Sequence, residues 1–218
     1  LNSIIGEKRF TFPKSLYAVH DTIRFFVANK PNALIVDFFA GSGTTMHAVN
    51  LLNAEDGGHR RCIMVTNNEV SADEAKMLKD KGYQPGDAEW EKLGIAHYVT
   101  WPRTVCSIKG QDVNGNPLKG DYLGSEPPMH MADGFKANAA FFKLGFLDPT
   151  AVSLGMRFSE MLPTLWLKTG AKGKCPELTG EQVPDMLILP ENQFAVLINE
   201  NASVSYTHLR AHETRRHL

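Results

Sequence analysis

Cysteine is scarce in this chain, whose 218 residues include only Cys62, Cys106 and Cys175. An odd number of widely spaced cysteines argues against a disulfide framework or a zinc site, and it is typical of a protein from a reducing cytoplasm. Long apolar runs are lacking as well, because no stretch approaches the ~20 apolar residues that a membrane-spanning helix needs. We therefore expect a cytoplasmic protein with no metal site and no membrane partner.

An excess of charge of either sign is also lacking. The formal net charge is −1, with 23 Lys and Arg residues against 24 Asp and Glu residues. No global basic field indicates nucleic acid, so any contact with DNA has to come from a local patch. The hydrophobic fraction of 43% and the charged fraction of 22% are typical of a globular protein with a core.

The most informative stretch is residues 33–45, ALIVDFFAGSGTT. Its first six residues carry a single charge, at Asp37, and such a continuous apolar run is typical of a strand buried on both faces of a parallel sheet. The glycines that follow permit a tight turn and close approach of the backbone. Residues 44–54 have the period of a helix, for which Ser42 or Thr44 would be the N-cap. A strand, a glycine turn and a helix predict a ligand pocket at the carboxyl end of the strand.

Two phosphate-binding patterns are missing from this loop. The phosphate loop Gly-x-x-x-x-Gly-Lys-Ser/Thr is absent. A dinucleotide fingerprint requires a small third residue where this chain has Met46, so pyrophosphate binding is disfavoured. What remains, DFFAGSGTT at residues 37–45, resembles the S-adenosylmethionine loop of the amino-directed DNA methyltransferases, whose pattern is Asp-x-Phe-x-Gly-Ser-Gly-Thr-Thr. The resemblance implies S-adenosylmethionine as cofactor, bound by Asp37, Phe39, Gly41, Ser42, Gly43, Thr44 and Thr45.

Two flanking elements resemble further parts of the same site. Pro13-Lys14-Ser15-Leu16 resembles the segment that holds the methionine end of the cofactor, which implies roles for Lys14 and Ser15; a helix capped by Ser15 explains these residues almost as well. After a second short apolar strand, Glu69 or its rival Asn67 would meet the ribose hydroxyls, because paired acceptors suit a diol. The alternative there is a plain loop between a strand and a helix.

The middle of the chain is predominantly helical in pattern. Ser71 and Glu74 predict a capping box for a helix that runs to about Lys81. A second helical period follows, in which Pro102 restarts or kinks the helix. Two interpretations of Arg103 are open: contact with a DNA phosphate or base, or an ordinary helix with a buried aromatic stripe.

We expect an α/β fold: a partial Rossmann-like S-adenosylmethionine-dependent methyltransferase sheet in residues 1–110, with an α+β extension in residues 111–203. Residues 109–120, at the start of the extension, predict a hairpin or an exposed loop. Further on, residues 135–148 end in a strand-like run, residues 149–170 predict a helix, and residues 190–193 predict a hairpin turn. Residues 204–218 resemble a translated frame of a widely used sequencing adapter, and we interpret them as an artefactual tail.

Residues 7–110 closely, and the rest of the chain loosely, resemble the modification subunit of type III restriction-modification systems, an adenine-specific DNA methyltransferase. The resemblance implies methyl transfer from S-adenosylmethionine to adenine N6 in DNA, in the bacterial cytoplasm. It also implies DNA, a restriction subunit and a second copy of the full-length protein as partners.

The catalytic tetrapeptide of that family, Asp/Asn/Ser-Pro-Pro-Tyr/Phe, is absent from the chain. Glu126-Pro127-Pro128-Met129 lacks the leading residue and the closing aromatic, and it lies on the wrong side of the glycine loop. In the permuted order of the family the tetrapeptide precedes the loop, so we expect a carboxyl-terminal fragment with no catalytic residue and no methylation activity of its own. The alternatives are an N4-cytosine or RNA methyltransferase of the same fold, and a non-catalytic module that binds cofactor or DNA.

Overall fold

The computed structural model describes residues 1–6, 10, 12–178 and 183–199. The tail predicted for residues 204–218 lies outside the described residues. The chain divides into two compact units, Leu1–Phe142 and Lys143–Leu218. The first unit thus contains residues 111–142, which the sequence analysis assigns to an extension; the extent of the cofactor-binding part itself stays a prediction.

The first unit is mixed helix and strand, and the second unit is a smaller α+β arrangement. In the first unit the elements are α1 (Asn2–Ile5), α2 (Leu16–Val27), β1 (Leu34–Asp37), α3 (Thr44–Asp56), β2 (Arg61–Met64), α4 (Ala72–Asp80), α5 (Ala88–Lys92), a π-helical turn (Ala96–Thr100), α6 (Trp101–Lys109) and a 3-10 turn (Met131–Asp133). In the second unit they are α7 (Pro149–Ser153), α8 (Phe158–Lys168), β3 (Met186–Leu189) and β4 (Phe194–Leu197).

Strands β1 and β2 form a parallel pair, with Val36 opposite Ile63 and Asp37 opposite Met64. Helix α3 connects the two strands and packs against β2. Two parallel neighbours end at the same edge of a sheet, so the residues that follow β1 and β2 emerge side by side. The predicted α/β character is confirmed by this pair, while a larger Rossmann-like sheet stays a prediction.

The expectation that β1 is buried on both faces is wrong. Leu34 and Val36 are 49% and 44% exposed, and Ile63 is 50% exposed. The residues between them are less exposed, so side chains alternate between a covered face and an open one. The apolar run is continuous in sequence, but the described residues provide substantial cover for only one face of the pair.

Helix α3 lies at the centre of the first unit. Every residue from His47 to Leu52 is buried, and Leu51 clusters with Tyr122 and Phe135. Helix α2 packs along it. A helix that is covered on most sides is held by tertiary packing rather than by its own propensity.

The carboxyl-terminal end of α3 is tied to α2 by Arg60, which is 4% exposed. The guanidinium of Arg60 donates to the backbone oxygens of Val27 and Ala28 at 2.9 and 3.0 Å. It also donates to both carboxylate oxygens of Asp56, each at 2.9 Å. Arg60 therefore supplies hydrogen bonds to carbonyls at the end of α2, and the carboxylate of Asp56 balances its charge.

Capping serines and a proline in the sequence predicted several helix boundaries correctly. The Ser15 hydroxyl accepts the Ala18 N–H at the start of α2, and the Ser71 hydroxyl accepts the Glu74 N–H at the start of α4. The predicted interruption at Pro102 is confirmed, because a π-helical turn ends at Thr100 and Pro102 lies in the first turn of α6.

The turn signals after α6 are confirmed. Gln111 and Pro117 form an isolated bridge, and the Asp112 carboxylate accepts the backbone N–H groups of Asn114 and Asn116. The strand-like run predicted before residue 148 is wrong, since residues 137–148 form no regular element and Leu144 is 96% exposed. An apolar run without a covering layer has no burial energy to hold it as a strand.

In the second unit the predicted hairpin is confirmed. Strands β3 and β4 pair antiparallel, with Met186 opposite Leu197 and Leu189 opposite Phe194. The single helix expected over residues 149–170 is divided into α7 and α8, and Gly155 between them has φ +72°. In the residues with described positions, no helix is both long enough and apolar enough to cross a membrane.

Candidate functional site

The turn between β1 and α3 depends on two glycines. Gly41 and Gly43 have φ values of +49° and +74°, a region that favours glycine. A Cβ atom on Gly43 would lie 3.1 Å from Cγ2 of Thr100 and 3.4 Å from its carbonyl oxygen. Gly43 is therefore required by its dihedral angle and by its contact with the start of α6.

Gly43 is also the N-cap residue of α3, and no side chain caps this helix. The prediction of Ser42 or Thr44 as N-cap is wrong. Their hydroxyls lie 3.2 Å from each other, and both contact Arg103 instead.

Asp37 joins the end of β1 to the first turn of α3. Its Oδ1 atom accepts the backbone N–H of Phe39 at 3.0 Å, and its Oδ2 atom accepts the hydroxyl of Thr45 at 2.5 Å. A carboxylate has about four acceptor positions, and hydrogen bonds from the described residues take two of them, so acceptor positions are left for a ligand. The strand-end acid thus shapes the glycine turn and keeps acceptor capacity.

An open cleft of about 510 Å³ lies between α2 and β1, beside this turn. Four residues that the sequence assigned to the cofactor, Lys14, Asp37, Phe39 and Thr45, line it together. The other lining residues are Val19, Thr22, Ile23, Val36 and Phe38. The cleft therefore combines apolar walls with one ammonium, one carboxylate and two hydroxyl groups.

The other predicted cofactor residues lie elsewhere. Ser42 and Thr44 are buried at 4% exposure and do not line the cleft. Ser15 caps α2 next to Lys14. Asn67 and Glu69 are exposed in the loop after β2, also outside the cleft lining, and the Glu69 carbonyl accepts the Ile95 N–H at 2.9 Å.

Arg103 is the residue whose role the sequence did not reveal. It is 4% exposed, and its Nη1 atom donates to Thr44 Oγ1 at 2.7 Å, to Ser42 Oγ at 3.2 Å and to the Ser42 carbonyl at 3.3 Å. Burial lowers the pKa of the guanidinium to about 10, so it stays charged at neutral pH. The interpretation of Arg103 as a DNA contact is wrong, because its side chain points into the protein and holds the loop.

Thr100, one helical turn before Arg103, reaches the same loop. Its hydroxyl donates to the Gly41 carbonyl and to the Ile95 carbonyl. Residues three apart share one helix face, and this spacing is the signal that pairs Thr100 with Arg103. Their common target lies about 60 residues earlier in the chain, so periodicity alone did not reveal it.

Behind the loop, His47 braces α3 against the segment that follows α6. Its Nε2 atom lies 2.9 Å from the Tyr122 hydroxyl, and its ring meets the rings of Tyr122 and Phe135 edge-on. Burial, and then the charge of Arg103, lower the pKa of His47 to about 3. Burial also raises the pKa of Tyr122. The neutral imidazole and the protonated Tyr122 hydroxyl therefore share one hydrogen bond inside the protein.

Comparison with known proteins identifies the same part of the chain. Residues 2–83 match the family model of a DNA methylase. The type II methyltransferase M.KpnI of Klebsiella pneumoniae is 47% identical over 68 residues, which are 31% of this chain and 16% of that protein.

Two type III modification subunits are also similar. The EcoPI Mod subunit of Escherichia phage P1 is 40% identical over 70 residues, which are 32% of this chain and 10% of that protein. The StyLTI Mod subunit of Salmonella typhimurium is 37% identical over 84 residues, 38% of this chain and 12% of that protein. The chain thus spans less than a fifth of the length of each relative. Residues 2–83, which contain α2, the glycine turn, α3 and β2, are thus the part of the chain that is similar to the DNA methylase family.

Proposed function

We propose that this chain carries the S-adenosylmethionine-binding segment of a DNA methyltransferase. The observation that carries the proposal is the convergence of Lys14, Asp37, Phe39 and Thr45 on one cleft at the glycine turn. The match to the DNA methylase family covers the same residues. The carboxyl end of a parallel strand is the usual place for a ligand in an α/β sheet, which supports the assignment.

The cleft fits the chemistry of this cofactor. Its volume of about 510 Å³ is in the usual range for a small-molecule site. The Lys14 ammonium suits the carboxylate of the methionine part, and the Asp37 carboxylate suits its ammonium or a hydroxyl group. The apolar walls, with the exposed ring of Phe39, suit the purine and the methylene groups.

Glu69, or Asn67 beside it, is proposed to accept hydrogen bonds from the ribose hydroxyls. Both follow β2, whose carboxyl end lies next to that of β1. Ser42 and Thr44 are proposed to act through the loop rather than by direct contact, because their hydroxyls are engaged with Arg103. Ser15 is proposed to set the position of Lys14 by capping α2.

When bound, the cofactor supplies a methyl group on a sulfonium that is open to attack by an amino group. The residues of this chain hold and orient it: Asp37 fixes the turn, Gly41 and Gly43 supply the left-handed backbone that the turn needs, and Lys14, Phe39 and Thr45 line the cleft. Such positioning is a large part of the catalysis of a transfer between two bound groups. No residue of this chain is proposed to contact the reacting amino group.

For the whole protein we propose methylation of adenine N6 in DNA, by analogy with the type III relatives. Chemistry on a base requires that the base leave the stack, and an aromatic and polar pocket receives it. DNA, a restriction subunit and a second copy of the protein are the proposed partners, in the bacterial cytoplasm. A partial Rossmann-like sheet that includes β1 and β2 is the proposed fold.

Calorimetric titration of the chain with S-adenosylmethionine tests the proposal. We expect binding with a dissociation constant on the order of 0.1–1 mM, because the cleft is open. Lys14→Met is expected to weaken binding about tenfold, or about 1.4 kcal/mol. Lys30→Met, at an exposed lysine beyond the other end of α2, is the matched control and is expected to leave the affinity unchanged.

NAD is the competing ligand in this experiment, since its pyrophosphate would rest on a helix N-terminus. Binding of NAD in preference to S-adenosylmethionine, or equal effects of both lysine variants, would refute the assignment. In a methylation assay with double-stranded DNA, the chain alone is expected to transfer no methyl group, because it lacks the Pro-Pro-Tyr type tetrapeptide.

A further inference from the structure

We propose that Arg103 is a positioning residue, which clamps the glycine turn from its buried side and so holds the cleft in the shape that binds the ligand. This inference rests on the proposed function for the identity of the ligand. The clamp itself consists of contacts within the chain.

The first step is the set of hydrogen bonds from a single nitrogen atom. Arg103 Nη1 contacts the Thr44 hydroxyl, the Ser42 hydroxyl and the Ser42 carbonyl within 3.3 Å. Hydrogen bonds from an ionised donor are stronger than neutral ones, especially where water is excluded. The hydroxyls of Ser42 and Thr44 are thereby turned away from the helix N-terminus that they would otherwise cap.

The second step is the backbone contact made by the same helix face. Thr100 donates to the Gly41 carbonyl, and its Cγ2 atom packs where a Cβ atom of Gly43 would lie. Thr100 and Arg103 together hold the three consecutive loop residues 41–43 as well as Thr44. The next residue, Thr45, lines the cleft, and its hydroxyl donates a hydrogen bond to the carboxylate of Asp37, which also lines the cleft.

The third step is the position of Arg103 relative to the cleft. Arg103 is not a lining residue, so it acts on a ligand through the loop and not by contact. Within the described part of the chain no carboxylate pairs with Arg103, and its Nε atom has no hydrogen-bond partner. Its hydrogen bonds among the described residues therefore go to the loop, and loss of the guanidinium should loosen the loop before the rest of the fold.

Hydrogen exchange of the full 218-residue chain, without ligand, tests the clamp. The Ala40 and Gly43 amides are the reporters, because they donate to the Val65 and Ala40 carbonyls at 3.2 and 2.8 Å. Arg103→Gln is expected to accelerate their exchange at least tenfold relative to the amides in the middle of α3. Arg103→Lys keeps one charged donor and is expected to restore part of the protection.

Arg60→Gln is the matched control. Arg60 is as buried as Arg103 but contacts the other end of α3, so its replacement should lower overall stability without selective exchange at the loop. Equal acceleration in both variants, or no acceleration in Arg103→Gln, would overturn the inference. Should Arg103→Gln fail to fold, Thr44→Val and Ser42→Ala remove the other half of the same bonds, and unchanged loop exchange in those variants also overturns it.

The ligand measurement separates this inference from the proposed function. Arg103→Gln is expected to weaken S-adenosylmethionine at least tenfold, with recovery in Arg103→Lys and little change in Arg60→Gln. If the wild-type chain binds no S-adenosylmethionine but Arg103→Gln still accelerates exchange in the loop selectively, the proposed function is refuted and the inference about Arg103 stands. Unchanged loop exchange with normal cofactor binding refutes the clamp and leaves the proposed function.

Discussion

The two ends of helix α3 each meet a buried arginine, and the two arginines are satisfied in different ways. Arg60 and Arg103 are both 4% exposed. At the carboxyl-terminal end, Arg60 forms an ion pair with Asp56 and donates a hydrogen bond to the Ala28 carbonyl at the end of α2. At the amino-terminal end, Arg103 donates to neutral oxygens of the glycine turn.

This difference indicates that the carboxyl-terminal end of α3 is structural and that the amino-terminal end belongs to the proposed site. A buried group whose hydrogen bonds and charge are all matched locally contributes to stability and has nothing left to offer a ligand. Three buried side-chain nitrogens without a hydrogen-bond partner, within the described residues, are Nδ1 of His47, Nδ2 of Asn50 and Nε of Arg103. All three belong to α3 or to the clamp on its loop. Unmatched polar groups are typical of functional sites.

The largest expected effect is at the scaffold end. Arg60→Met removes the bonds to Val27, Ala28 and Asp56, and we expect it to lower the free energy of unfolding by about 3 kcal/mol. Urea denaturation measures this loss. Arg61→Met, at the exposed neighbouring arginine, is the control, and equal losses in the two variants would contradict the role assigned to Arg60.

The glycines at the two ends of α3 sharpen the comparison. Gly43 and Gly57 both have left-handed backbones, with φ of +74° and +69°, but only Gly43 has a neighbour within 4 Å of the position of a Cβ atom. Gly57→Ala is expected to lower stability by about 1 kcal/mol through backbone strain alone. Gly43→Ala adds the contact with Thr100, so we expect a loss of about 2 kcal/mol.

Thermal and urea unfolding of the two alanine variants give this difference directly. A ligand titration extends it, since Gly43→Ala should also weaken binding in the cleft while Gly57→Ala should not. If the two substitutions are equally mild, the close packing of Thr100 on the loop is not important for the fold.

The last comparison concerns pH, because the two ends of α3 should lose stability in different pH windows. The folded pKa of His47, about 3, lies below its ordinary value of 6.5. Between these values the unfolded chain binds a proton that the folded chain does not. The free energy of unfolding should therefore fall as pH decreases below 6.5, by up to about 1.4 kcal/mol per pH unit from this residue.

At the other end, Arg60 holds the pKa of Asp56 below its ordinary value of 3.8. That contribution is present above pH 3.8 and is lost only as pH falls below it. Urea denaturation at pH 7, 6 and 5 tests the comparison, with His47→Gln expected to flatten the slope and Asp56→Asn expected to leave it unchanged over this range. A slope that His47→Gln does not alter would contradict a neutral, buried imidazole.

Local structure near the site followed directly from local sequence. The apolar strand, the paired glycines, the serine caps of α2 and α4 and the Pro102 interruption each depend on residues within about one helical turn of one another. The hairpin of the second unit was predicted for the same reason, since turn residues and flanking apolar runs are adjacent in the chain. Such signals are determined by dihedral preferences and hydrogen bonds of neighbouring residues.

The errors have a common cause. The continuous apolar run of β1 indicated burial on both faces, but exposure depends on which other elements cover the sheet. Ser42 and Thr44 are good N-cap residues, yet Arg103 takes their hydroxyls. In both cases the outcome depended on parts of the chain distant in sequence, through the cover that they give to β1 and through the hydrogen bonds that Arg103 makes.

The amino-acid sequence by itself determined the turn that carries the proposed cofactor site, because DFFAGSGTT at residues 37–45 combines its acid, its glycines and its hydroxyls within nine positions. Tertiary structure alone decided which of those groups face the cleft and which face Arg103. It also decided that His47 stays neutral. The physical reason is that orientation and desolvation depend on α6 and Tyr122, which lie some 55 to 75 residues further along the chain and meet the loop and α3 only after folding.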